Sequence, residues 1–170
     1  MILVSYDGSP DAQAAIDRAA QLMPGEEATV LTVWEPFIDM MTGANSMAMG
    51  LGMAGSYTES DAIDAINRDA ALATAREGTE RAAAAGLVAH PRSETRHGGV
   101  AATILAAAAD VDADAVVMGT RGLSGVKSFL LGSVSHGVVE HADRAVLVVP
   151  AAGLAERRRD HRAADVAVPA

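Results

Sequence analysis

Short apolar runs alternate along the chain with longer, alanine-rich stretches of helical character. Ile2 to Tyr6 reads as a first strand, followed by Asp7-Gly8-Ser9-Pro10. In that turn Ser9 can cap a helix and Pro10 can occupy its first turn, where no amide donor is needed. The helix runs to about Met23 and stops at Pro24-Gly25. Thr29 to Trp34 is apolar apart from its threonines, as expected of a strand covered on both faces. Ser56-Tyr57-Thr58-Glu59 has the spacing of a capping box and opens a long helix to about Ala85, with Gly86 as its stop. Leu87 to Thr95 is a third strand, and Pro91 makes it an edge candidate. A helix over Gly99 to Asp110, a strand over Ala115 to Met118, a short helix over Ser133 to His141 and a strand over Ala145 to Val149 complete the pattern.

Strands separated by helices require crossover connections, so the expected class is α/β: a mostly parallel open sheet with helices on both faces. The pattern leaves strand order open. Residues 35 to 57 form a long loop holding five of the eight methionines, a composition that serves a lid or packing role or an adaptable binding surface. Residues 1–150 read as one domain and 151–170 as a flexible C-terminal extension, in which four arginines face three acidic residues.

The 170-residue length suits a single domain, and 37 alanines make up much of the hydrophobic half. There is no cysteine, which removes thiolate, disulfide and Cys-zinc chemistry and fits a reducing cytosol. A net charge of -9 disfavours nucleic acid and anionic lipid as partners. No apolar stretch reaches the ~18 residues of a membrane span, and the first residues lack a signal-peptide pattern, so a soluble, cytoplasmic chain is expected.

The stretch Val116 to Ser135 carries the chemistry. Gly119 follows a buried strand at its carboxyl end, where α/β sheets bind ligands. Gly122 and Gly125 permit close backbone approach, and Gly132-Ser133 opens a helix whose amides and dipole favour an anion. Ser133 and Ser135 add hydroxyls, while Arg121 and the single lysine, Lys127, lie inside the loop. In an acidic chain this is a local concentration of donors and positive charge suited to phosphate.

Gly119, Gly122, Gly132 and Ser133, separated by two, nine and no residues, resemble the ATP-binding signature of the universal stress protein family. Val4-Ser5-Tyr6-Asp7-Gly8-Ser9 is similar to that family's first strand and acidic turn, and Gly132 to His136 with Val146 to Pro150 to its closing helix and strand. The resemblance covers roughly residues 1–150. It implies a five-stranded parallel sheet of order 3-2-1-4-5, a Rossmann-like fold whose switch point lies between the first and fourth strands. It further implies that Asp7 and the backbone at Val33 hold the adenine and ribose end and that Met118 and Gly119 line the ribose. Gly122, Gly132, Ser133, Val134 and Ser135 would take the phosphates, with Arg121 beside them. ATP is the implied ligand, any Mg²⁺ arriving through the phosphates, and the implied assembly is a homodimer through Val146 to Val149. The function this implies is nucleotide-dependent signalling or stress response, through a protein partner that the sequence does not name. A slow ATPase or a phosphoryl or adenylyl transferase on the same scaffold is the alternative.

Other chemistries fare worse. No GxxxxGK[ST] run exists, and Lys127-Ser128 lacks the preceding glycine spacing. The five histidines are scattered, and His136 and His141 miss the i, i+4 spacing of a zinc helix. No second acid or base is placed to orient a nucleophile, so no catalytic residue is assigned.

Overall fold

The computed structural model describes residues 1–37, 57–120, 131–150, 153 and 156, with side chains in the second helix described from residue 61 onward. The expectations for the methionine-rich loop, for Arg121, Gly122, Gly125 and Lys127, and for most of the tail lie outside the described residues. The elements are β1 (Ile2–Ser5), α1 (Pro10–Leu22), β2 (Glu27–Trp34), α2 (Tyr57–Ala84), β3 (Val88–Thr95), α3 (Val100–Asp110), β4 (Ala115–Gly119), α4 (Ser133–His141) and β5 (Ala145–Val149). The strands form one five-stranded sheet of order β3-β2-β1-β4-β5. All four pairings are parallel. This is the expected Rossmann-like fold and the expected strand order.

Two cores follow from the period of the strands. Successive residues of β1 alternate faces, so Ile2 and Val4 join Val30, Val117 and α1 on one side. Leu3 joins Leu31, Val116 and Met118 with α3 and α4 on the other. Each of these aliphatic side chains, once removed from water, contributes about 1.5–3 kcal/mol.

The helices contribute mostly small residues, which bring backbones close. Along α2 the buried positions are Ala71, Ala75, Gly78 and Ala82, spaced four, three and four apart, one face of the helix. At Gly78 even a methyl group would stand 2.7 Å from the ring of Tyr6 and 2.9 Å from Val30 Cγ1.

The end of α2 explains why β3 starts one residue later than the pattern predicts. Gly86 adopts φ +102°. Its amide bonds Ala83 O at 3.0 Å and the amide of Leu87 bonds Ala82 O at 3.0 Å, a Schellman motif that uses Leu87 as its buried apolar partner.

β3 is an edge strand, as Pro91 implied. It is mostly exposed or half-buried and lined with ion pairs. Arg92 holds Glu94 at 2.7 Å and Asp110 at 2.9 Å, and Arg96 holds Glu35 at 2.8 Å. The opposite edge, β5, is the apolar run Ala-Val-Leu-Val-Val.

Candidate functional site

The polarity of a parallel sheet places every strand-to-helix turn at one edge. The carboxyl ends of β1 and β4 lie side by side because these two strands are neighbours.

On the β1 side the ladder continues past Ser5. The Tyr6 amide donates to Leu31 O at 2.8 Å, and the Thr32 hydroxyl donates to Tyr6 O at 2.9 Å. That carries Asp7 to the carboxyl end of β2, alongside the level of Val33. The Asp7 carboxylate accepts the Ser9 amide at 3.0 Å. Ser9 is buried and caps α1 by accepting the Ala12 amide at 3.2 Å. Gln13 donates to Gly8 O at 3.2 Å. Asp7 thus has the turn-capping role that its position before a helix allows, while its half-buried side chain stays at the edge.

Tyr6 is buried under α2 and donates to Glu77 Oε1 at 2.7 Å. Burial, and then the carboxylate beside it, push its phenol up to about 12. The hydroxyl is therefore a neutral donor that ties α2 to the end of β1.

On the β4 side Met118 is buried in the core that faces α3 and α4, and Val33 packs half-buried against the same core. Gly119 backs onto α1: a methyl group there would lie 2.7 Å from Asp11 C and Asp11 Cβ and 3.0 Å from the Ala12 amide. Its lack of a side chain lets the start of α1 close against the end of β4.

Thr120, which the sequence reading passed over, is the junction. Its amide donates to Val149 O at 3.0 Å, and its carbonyl accepts the Gly132 amide at 2.8 Å. The same carbonyl accepts the Ser135 hydroxyl at 2.8 Å. Its own buried hydroxyl donates to the Asp11 carboxylate. The chain leaves β4 at Thr120 and returns to it at Gly132, so the first turn of α4 stands against the end of β4.

Gly132 caps α4 with φ -63° and ψ 159°, angles open to any residue, and its amide is committed to Thr120. Helix geometry leaves the amides of Ser133, Val134 and Ser135 without an intrahelical carbonyl. No acid lies in that first turn, so the partial positive charge of the helix end is not neutralised there. Ser133 is exposed, Val134 half-buried and Ser135 buried.

The structure thus brings Asp7, Val33, Met118, Gly119, Gly132, Ser133, Val134 and Ser135 to one edge of the sheet, while Arg121 and Gly122 lie outside the described residues. Among the described residues no group of three His, Asp or Glu side chains is gathered for a metal ion, and no helix is long and apolar enough to cross a membrane.

Residues 1–150 match the model of the universal stress protein family. A universal stress protein of Thermus aquaticus, described as lying in the QAH/OAS sulfhydrylase 3' region, is 34% identical over 152 residues, covering 87% of this chain and 96% of that protein. Among solved structures, a universal stress protein in complex with cAMP superposes with a TM-score of 0.59 at 25% identity, covering 89% of this chain and 97% of the other. The universal stress protein of Archaeoglobus fulgidus in complex with dAMP has the same fold, with a TM-score of 0.54 at 21% identity and coverage of 87% and 95%.

Proposed function

The chain belongs to the universal stress protein family, and from that premise we propose that it is an ATP-binding protein whose nucleotide lies across the carboxyl ends of β1 and β4. Asp7 and the backbone at Val33 take the adenine and ribose end, and Met118 and Gly119 line the ribose. The amides of Ser133, Val134 and Ser135 take the phosphates, with Gly132 shaping the turn. Arg121 and Gly122 enter this reading by the sequence pattern alone. Mg²⁺, where present, arrives on the phosphate oxygens. The protein works as a cytoplasmic homodimer paired through Val146 to Val149, and nucleotide occupancy signals to a protein partner.

One observation carries the reading. The first turn of α4, with three amides lacking intrahelical acceptors, is held at the topological switch point of a parallel sheet by the Thr120–Gly132 hydrogen bond of 2.8 Å. The cAMP complex of a relative at 25% identity supports an adenine nucleotide as the ligand class.

The test is calorimetric titration of the 170-residue chain with ATP, ADP, AMP and cAMP, paired with chromatography of small molecules released on denaturation. The expected result is saturable ATP binding that Ser133→Ala weakens. A chain that neither binds nor releases any adenine nucleotide refutes the proposal.

A further inference from the structure

Resting on that nucleotide site, we propose that Thr120 and Ser135 are positioning residues: their hydroxyls set where the α4 amides stand and do not themselves contact the phosphates.

The hydrogen-bond inventory requires this division of labour. A phosphate at neutral pH offers acceptors, so a hydroxyl binds it by donating its single proton. The Ser135 hydroxyl directs that proton to carbonyl oxygens, Thr120 O at 2.8 Å and Gly132 O at 3.0 Å. The Thr120 hydroxyl directs its proton to the Asp11 carboxylate. Thr120 and Ser135 are 4% and 2% exposed, so neither hydroxyl reaches solvent. Both lone pairs of Thr120 O are taken, by the Gly132 amide and Ser135, and its amide is taken by Val149.

Thr120 is therefore bonded to α1, α4 and β5 at once. Its side chain fixes the end of β4 against the first turn of α1, beside the turn that holds Asp7. Its carbonyl fixes the first turn of α4. The distance between the nucleoside end and the phosphate end is set through this one residue. Ser133, exposed at the same helix start, keeps its hydroxyl available for a phosphate.

A positioning role predicts a loss that depends on the phosphates. Calorimetric titrations of the full chain with ATP and with adenosine read this out, at a temperature where circular dichroism shows each variant folded. Ser135→Ala and Thr120→Val are expected to weaken ATP by about tenfold or more while adenosine stays within about twofold. Thr120→Ser, which keeps the hydroxyl, restores ATP to within about threefold of the starting chain. If Thr120→Val fails to fold, because it removes a donor from the buried Asp11, Ser135→Ala and Thr120→Ser carry the comparison.

Equal losses for ATP and adenosine, or ATP affinity unchanged in Ser135→Ala, overturn the positioning role while leaving the nucleotide site intact. A loss in Ser135→Ala with none in Thr120→Val also overturns it, since it assigns Ser135 a direct phosphate contact. An unsubstituted chain that binds neither ligand removes the site itself, and the positioning role with it.

Discussion

Replacing Gly119 by alanine is the most direct probe of how the site is closed. The added carbon would sit 2.7 Å from both Asp11 C and Asp11 Cβ, against an ordinary van der Waals separation of 3.4–4 Å, so the elements must part by about 0.7 Å. The neighbour is backbone at the start of α1, which cannot swing aside as a side chain would. It is anchored by the Ser9 cap at 3.2 Å and by the Thr120–Asp11 bond. Overpacking of this kind costs about 1–3 kcal/mol. Gly→Ala regains about 0.4–1 kcal/mol by restricting the unfolded chain. The net expectation is a loss of about 1–2 kcal/mol, or about 2–8 °C in melting temperature for a chain of this size. Urea denaturation followed by circular dichroism should show a lower midpoint at unchanged m-value. ATP affinity should fall alongside, because the Asp7 turn and the α4 amides are pushed apart. A Gly119→Ala chain as stable as the original, with ATP affinity intact, would refute the claim that α1 is fixed against β4.

Two further predictions concern the packing of α2 on the same face of the sheet. Because the Tyr6 phenol titrates at about 12 in the fold and at 10.0 when unperturbed, the unfolded chain releases its proton first. The stabilisation is complete below pH 10 and is lost as pH rises through 12, by at most about 3 kcal/mol. Tyr6→Phe should lose about 1 kcal/mol at neutral pH, with the Glu77 hydrogen bond gone, yet show a flatter alkaline stability profile. A profile as steep as that of the original chain would remove Tyr6 as its source. Gly78→Ala gains about 1 kcal/mol of helix propensity but drives a methyl into the Tyr6 ring and Val30, so a net loss of about 1 kcal/mol is expected in denaturant titration. A more stable variant would show that α2 can lift off the sheet.

Most of the architecture is legible in the residue pattern for a physical reason. β1, β2 and β4 are buried on both faces and must be continuously apolar, and the turns between elements need Pro, Gly or a capping Ser. β3 carries His90, Pro91, Arg92 and Glu94 and is strand-like only in its β-branched ends and its place between two helices. Its edge position was readable because proline cannot donate to an inner ladder. The glycine signature was equally plain, since no side chain fits at Gly119. What was not legible is three-dimensional pairing. Thr120 looks like an unremarkable polar residue in a glycine loop; that its hydroxyl meets Asp11, 109 positions earlier in the chain, follows only from the register of β1 against β4. Gly78 hides among the small residues of α2, and nothing local shows that Tyr6 lies over it. Ser135 was read as a hydroxyl for phosphate because spacing reports residue type without reporting where its proton points.

The two edges of the sheet are unlike, and that bears on stoichiometry. The β3 edge has Pro91, which offers no amide, and charged side chains held in ion pairs. The β5 edge is apolar and short. A sheet that can accept a neighbouring strand at one edge only cannot propagate. Once two such edges meet, each outer boundary is a charged β3, and strand addition terminates at a pair. In the proposed pairing, filaments are closed off by the composition of β3, at the opposite edge of the sheet from β5.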